Sequence, residues 1–378
     1  MNGIPIARIL GFEVRIHASW ILIVALVAVL VVGQLEVLVP TVPVIVRWLI
    51  GALIAAAFLL SVLAHELGHG IAARRRGIDV GPITLYFFGG SASFQLESER
   101  PRDEMVIALA GPLVSLAIGG VLGIAGVAAE QTSNPTVVAA GGVALVLAAL
   151  NLVLGGANLV PAFPLDGGRV VRAAVWARTN DERRGARAAA ACGRAVGWIL
   201  VGAGIALIVA GDTIDGFMLG LSGWLLSTAA RGITRRLAVQ ELLADVRVAD
   251  VMERGVSGIA PNLTVDTFAA QLLEGSSGGA LPVVRGDEIL GLVSASQLRR
   301  LRRSSWPKTR AEDLMVAPPT LPLLAAGDTL WSALDRLRRT NLDGLPVVEG
   351  AGLLGVVTRD AIVATIQSRA RLRGVTLR

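Results

Sequence analysis

Up to about residue 230 this chain is dominated by Ala, Leu, Val, Ile and Gly in runs near 20 residues. A helix rises about 1.5 Å per residue, so a run of that length crosses roughly 30 Å of hydrocarbon. Such runs predict membrane-spanning helices. From about residue 240 the apolar runs shorten to four to eight residues between polar turns, the pattern of a water-soluble α/β domain. The 378 residues therefore divide into a multi-span α-helical membrane part and a soluble part, each long enough to bury its own core.

Six spans are expected, near residues 18–38, 48–72, 106–129, 137–160, 195–211 and 217–230. Arginines collect after the even-numbered spans: Arg74 to Arg76 after the second, Arg169, Arg172, Arg178, Arg183 and Arg184 after the fourth, Arg231, Arg235 and Arg236 after the sixth. The loops after spans three and five hold no Lys or Arg. Basic loops stay cytoplasmic, so both termini and the soluble part are expected in the cytosol. The same placement accounts for the net charge of +6 without nucleic acid as a partner. The one cysteine, Cys192, excludes an internal disulfide and says nothing of redox compartment. No cleavable secretory signal is read at the N-terminus, whose first apolar stretch is long enough to remain as a span.

Residues 77–104, between the second and third spans, are too long and polar for a simple turn. Within them 83–94, ITLYFFGGSASF, mixes β-branched and aromatic residues around Gly89-Gly90, a hairpin pattern. The segment is either a loop on the membrane surface or an edge strand able to pair with an extended peptide.

Near the cytoplasmic end of the second span stands His65-Glu66-Leu67-Gly68-His69. Histidines four residues apart on a helix share a face and can hold one metal ion, with Glu66 placed to hold a water. Neutral imidazole suits zinc, and a catalytic zinc keeps one position open for water. Ionisable side chains inside a span are costly and persist for function, which weighs against histidines that merely hydrogen-bond between helices. His65 stands nine positions before Arg74, which places it about 13 Å inside the cytoplasmic boundary.

Two histidines do not complete such a site, and His17 lies before the first span, so a carboxylate is expected as third ligand. Asp166 is the best candidate, in the segment 158–169, NLVPAFPLDGGR. Its prolines break the fourth helix and its glycines permit a tight turn. Broken helix at membrane depth is tolerated where it lines a protected site. Taken alone, Asp166 also suits the N-cap of a following helix.

HELGH at 65–69 and NLVPAFPLDGGR at 158–169, with Ala110-Gly111-Pro112 in the third span, resemble the site-2 protease family of intramembrane zinc metalloproteases, the bacterial type with C-terminal CBS domains. The resemblance implies His65, His69 and Asp166 as ligands of one Zn2+, Glu66 as general base and Asn158 as the group that steadies the oxyanion. It implies cleavage of transmembrane segments in single-span proteins such as membrane-bound anti-sigma factors or transcription regulators, the process called regulated intramembrane proteolysis. Where the family often has an asparagine after its Gly-Pro, this chain has Ser115. Because a helical substrate hides its carbonyls in hydrogen bonds, helix-weakening residues at the cut are expected to favour cleavage.

The soluble part repeats itself at an offset of 62 to 64 residues: Leu281-Pro282-Val283-Val284 matches Leu345-Pro346-Val347-Val348, and 290–293 matches 354–357. Each unit reads as short strand, amphipathic helix, two strands and closing helix, and the pair looks like tandem CBS domains. The expected domains are an intramembrane metalloprotease at 1–236 and CBS domains at 246–306 and 309–370. Such pairs often hold adenosine-type ligands, with Ser or Thr followed three positions on by a ribose-binding Asp. Here Ser294 is followed by Gln297 and Thr358 by Ala361, with Asp360 one place early, so a module for packing or homodimerisation stands beside a nucleotide-binding one. The principal rival is a CBS-regulated membrane cation transporter, which has no need of the HExxH spacing.

Overall fold

The computed structural model describes residues 3–38, 41–86, 89–94, 100–274, 279–286, 288–340, 342–350 and 352–374. They fall into two units, Met1–Thr234 and Arg235–Arg378.

The first unit opens with strands β1 (Ile4–Ile9) and β2 (Phe12–Ile16), then helices α1 (Trp20–Leu38) and α2 (Val44–Arg74). Strands β3 (Val80–Tyr86) and β4 (Gly89–Phe94) follow, then α3 (Pro101–Glu130), α4 (Pro135–Asn158), α5 (Asp166–Thr179), α6 (Glu182–Val209) and α7 (Thr213–Leu243). Among the described residues, α1 to α4 and α6 are long and apolar enough to cross a membrane. The expected sixth span lies on α7, helical throughout, where Asp215, Ser222, Ser227 and Thr228 dilute the apolar stretch. Helix α6 starts well before the expected residue 195, because the polar, arginine-bearing turns from Glu182 onward continue the same helix.

The hairpin expected at 83–94 forms, with Ile83 opposite Ala92 and Tyr86 opposite Gly89; Phe87 and Phe88 lie outside the described residues. It belongs to a larger sheet of order β1-β2-β3-β4, in which the N-terminal hairpin adds β2 parallel to β3. Buried Val14 and Leu85 from this sheet pack with Trp20 and with Val62 and Leu63 of α2, one turn before the HExxH residues. At the end of α2 the Arg74 guanidinium lies 3.6 Å from the Phe12 ring centroid and donates to the Leu10 carbonyl at 2.7 Å. The sheet thus braces the helix that carries the histidines.

Helices α6 and α7 form an antiparallel pair through small residues. A methyl on Gly197 would lie 2.7 Å from the Gly223 carbonyl oxygen, and one on Gly204 2.5 Å from that of Gly216. Only glycine permits this backbone approach, the small-residue packing common between membrane helices.

The second unit holds the end of α7 and a six-stranded sheet. Strand β5 (Glu253–Arg254) precedes α8 (Val265–Glu274), β6 (Ala280–Arg285), β7 (Glu288–Ser294), α9 (Ala295–Leu298) and α10 (Ala311–Leu314). Then come β8 (Leu324–Ala325), α11 (Leu330–Arg339), β9 (Gly344–Glu349), β10 (Gly352–Thr358) and α12 (Arg359–Leu372). The sheet order is β6-β7-β10-β9-β8, with β5 on β10, so the two repeat hairpins lie side by side. In each repeat a short segment runs parallel to the first hairpin strand: Ile259 bridges Val283, and β8 pairs β9. The repeats differ in their closing helices, four residues against fourteen.

Candidate metal centre

Helix α2 places His65, Glu66 and His69 in the interior, at 3%, 8% and 4% exposure. His69 Nδ1 donates to the Ile107 carbonyl of α3 at 2.7 Å. A carbonyl only accepts, so in the neutral ring the proton sits on Nδ1 and Nε2 presents a lone pair. His65 Nδ1 lies 2.9 Å from Ser115 Oγ, also on α3. Both rings are therefore held from behind, the arrangement that orients metal-ligating imidazoles.

The third group arrives from the broken end of α4. Helix α4 stops at Asn158, and the Leu165 N–H bonds back to the Ala162 carbonyl at 2.8 Å, turning the chain into α5. Any Cβ on Gly167 would collide with the carbonyl oxygens of Leu159 and Val160, so the turn requires glycine there. The N-cap position falls on Leu165, and Asp166, the first helical residue, aims its carboxylate at the histidines.

Asp166 Oδ2 lies 3.2 Å from His65 Nε2 and 3.2 Å from His69 Nε2, and the two Nε2 atoms are 3.2 Å apart. An equilateral triangle of donors fits one face of a tetrahedron: bonds of about 2.0 to 2.1 Å imply edges near 3.3 Å. Among the described residues these three form the group able to hold a metal ion. Opposite them stands Gly111 of α3, where a methyl would come 2.8 Å from His65 Nε2 and 2.6 Å from His69 Cε1. The missing side chain leaves the space in which an ion and its open position fit. Two nitrogens and one carboxylate oxygen are a donor set suited to zinc.

His65, His69 and Asp166 thus come together as the sequence indicates, with Glu66 buried beside them on α2. Asn158 does not join them by any hydrogen bond: its amide donates to the Leu154 carbonyl at 3.0 Å, one turn back on its own helix. His17 stands apart, its Nδ1 2.9 Å from Ser19 Oγ. Sequence reasoning set Ser115 aside as a departure from a pattern. The signal that finds it is its place on α3, four residues after Gly111 and eight after Ile107, on the face that backs the histidines.

An HExxH helix buried among apolar helices and completed by a carboxylate from a broken helix end defines a membrane-embedded metallopeptidase. Comparison with known proteins narrows that class. The profile of peptidase family M50 matches residues 53–200, and that of the CBS domain matches 311–368. Rip3 of Mycobacterium tuberculosis, which carries a zinc metalloprotease name, is 36% identical over 367 residues, 97% of this chain and 93% of the relative. The similarly named sll0528 of Synechocystis is 30% identical over 98% of this chain and 97% of its own. A solved site-2 protease from Methanocaldococcus jannaschii is 27% identical, with a TM-score of 0.42 over 62% of this chain and 95% of that one. The chain belongs to peptidase family M50, the site-2 proteases, with a CBS module joined to the protease. It is a membrane metalloprotease, and the transporter reading finds no comparable support.

Proposed function

We propose that one zinc ion per chain is held by His65, His69 and Asp166, and that the protein cleaves transmembrane segments of single-span membrane proteins, membrane-bound anti-sigma or transcription regulators among them. The observation that carries this reading is the 3.2 Å triangle of donor atoms facing the space left by Gly111. A zinc ion held there would lower the pKa of a bound water and polarise the carbonyl under attack. Glu66 is the group placed to take a proton from the attacking water and to return it to the leaving amine. Ile107 and Ser115 hold the imidazoles in their donor orientation. Asn158 serves as an oxyanion donor if its amide leaves Leu154 when substrate enters. The edge strand β4 offers backbone groups to an unwinding substrate, consistent with its place at the end of the sheet.

Both termini and the CBS module are assigned to the cytoplasm. The arginine-rich loops support this, as does the antiparallel α6/α7 pair, which returns the chain to the side from which α6 started. The protease is assigned to 1–236 and the CBS domains to 246–306 and 309–370, able to dimerise. Weak adenine-nucleotide binding at best is expected of the pair. In the first repeat Gln297 accepts from the Ser294 N–H at 2.8 Å and donates to the Leu314 carbonyl at 2.9 Å, while Ser294 Oγ donates to Asp343 at 2.6 Å. In this repeat the groups at the two expected ribose positions are thus already engaged.

The test is metal analysis of the purified chain together with cleavage of candidate single-span substrates. One zinc per chain, with cleavage lost on chelation and restored by zinc, is the expected result. Cleavage that persists in fully metal-stripped protein would remove the mechanism.

A further inference from the structure

One face of α3 meets the site along Glu104, Ile107, Gly111 and Ser115, spaced three, four and four residues apart as a single helical face requires. Ile107 and Ser115 hold the histidines, and Gly111 clears the space before them. Glu104 is the fourth member, and its partners lie on a different helix. It is fully buried, and its Oε1 accepts from Arg172 Nε at 2.7 Å and from Arg172 Nη2, with Arg169 Nε at 3.7 Å. Arg169 and Arg172 follow Asp166 by three and six residues on α5, the helix that Asp166 begins.

We propose that Glu104 is a positioning residue for the metal site, fixing α5 against α3 so that the Asp166 carboxylate completes the donor triangle. The inference rests on the zinc reading above. Arg172 stands about 9 Å along α5 from Asp166, so a slip or tilt of the helix at Arg172 is carried to its first residue. Apolar packing alone tolerates sliding, whereas a guanidinium held by two of its nitrogens sets both distance and orientation. A buried ion pair is a poor source of net stability, because desolvation offsets the attraction. Its value here lies in register. The neighbouring Asp103 serves as an internal comparison: it pairs with Arg76, beyond the end of α2, and not with α5.

The experiment measures zinc affinity of the purified full chain by chelator competition, beside the melting temperature of the zinc-free protein. Glu104→Gln and Arg172→Met, which act on the ligand through α5 and do not touch it, should each weaken zinc binding by up to about the tenfold that loss of a ligand's direct outer partner costs. The double variant should be no weaker than either single one. Glu104→Asp, which keeps the charge, should recover part of the affinity, and Asp103→Asn should bind like the parent. Equal zinc affinity in Glu104→Gln and the parent would overturn the proposal. So would a loss matched by Asp103→Asn at the same fall in melting temperature, since that marks general destabilisation. A parent chain that binds no zinc, or an Asp166→Ala chain that binds as tightly as the parent, would instead sink the zinc reading and the proposal with it.

Discussion

Ser115 Oγ sits 2.9 Å from His65 Nδ1, at the far side of the ring from Asp166. The contact gives His65 the fixed orientation that Ile107 gives His69. Ser115→Ala should therefore lower zinc affinity on the order of tenfold. Ser115→Asn, which restores a donor and acceptor at the same place, should lose less. Chelator competition on the two variants checks the order, and an Ala variant that keeps the parent affinity would show that packing alone orients the ring.

Glu66→Gln should abolish cleavage while zinc content stays near that of the parent, because the base is removed and the three donors remain. Asp166→Ala should reduce both. Elemental analysis beside a cleavage assay separates the cases, and turnover surviving in Glu66→Gln would remove Glu66 from its assigned role.

Gly111→Ala places a methyl within 2.8 Å of His65 Nε2. Zinc occupancy and activity should both fall. Gly120→Ala, on the same helix with nothing within 4 Å of the added carbon, should leave both unchanged. Equal zinc content in the two variants would contradict the placement of the ion before Gly111.

Much of this centre is legible in the sequence because its chemistry is local. HExxH fixes two donors by helical spacing, and the Pro and Gly residues around Asp166 announce a chain reversal. What the sequence hides is tertiary. Nothing at Ser115 or Glu104 marks them as partners of residues 50 and 68 positions away, and the face of α3 becomes visible only once its neighbours are known. The N-terminal strands are hidden for the same reason: both are short, β2 acquires its place by pairing with β3 some 70 residues later, and β1 pairs with β2. At α7 composition alone understates the helix, since glycines and serines that dilute its apolar character are what let it pack on α6.

Reporter fusions after Arg236 should score as cytoplasmic. Gly197→Leu, which drives a side chain against the Gly223 carbonyl and Ser227, should disturb that result or the yield of folded protein, whereas Gly202→Leu, with open space beside it, should not. A fusion placed outside the cell in the parent chain would reverse the assigned topology.

Helix α7 runs unbroken to Leu243, and Leu242 and Leu243 are buried in the second unit. Removing the chain after Arg236 should change the rate or selectivity of cleavage and leave zinc content intact. Loss of zinc on truncation would show that the module supports the site itself. In calorimetry the intact chain should show weak adenine-nucleotide binding or none; tight, saturable binding would mean that Gln297 and Ser294 release their partners.

With a metal bound, the donor triangle would also act on the chain as a cross-link. A metal shared by His69 and Asp166 ties together residues 97 positions apart, enclosing β3, β4, α3 and α4 in a closed loop. Closure of this kind restricts the unfolded chain as a disulfide would, although spans that remain helical in the bilayer have less freedom to lose. Chelation would then loosen the fold as well as stop the chemistry, by freeing the ends of the loop that runs from α2 to the start of α5.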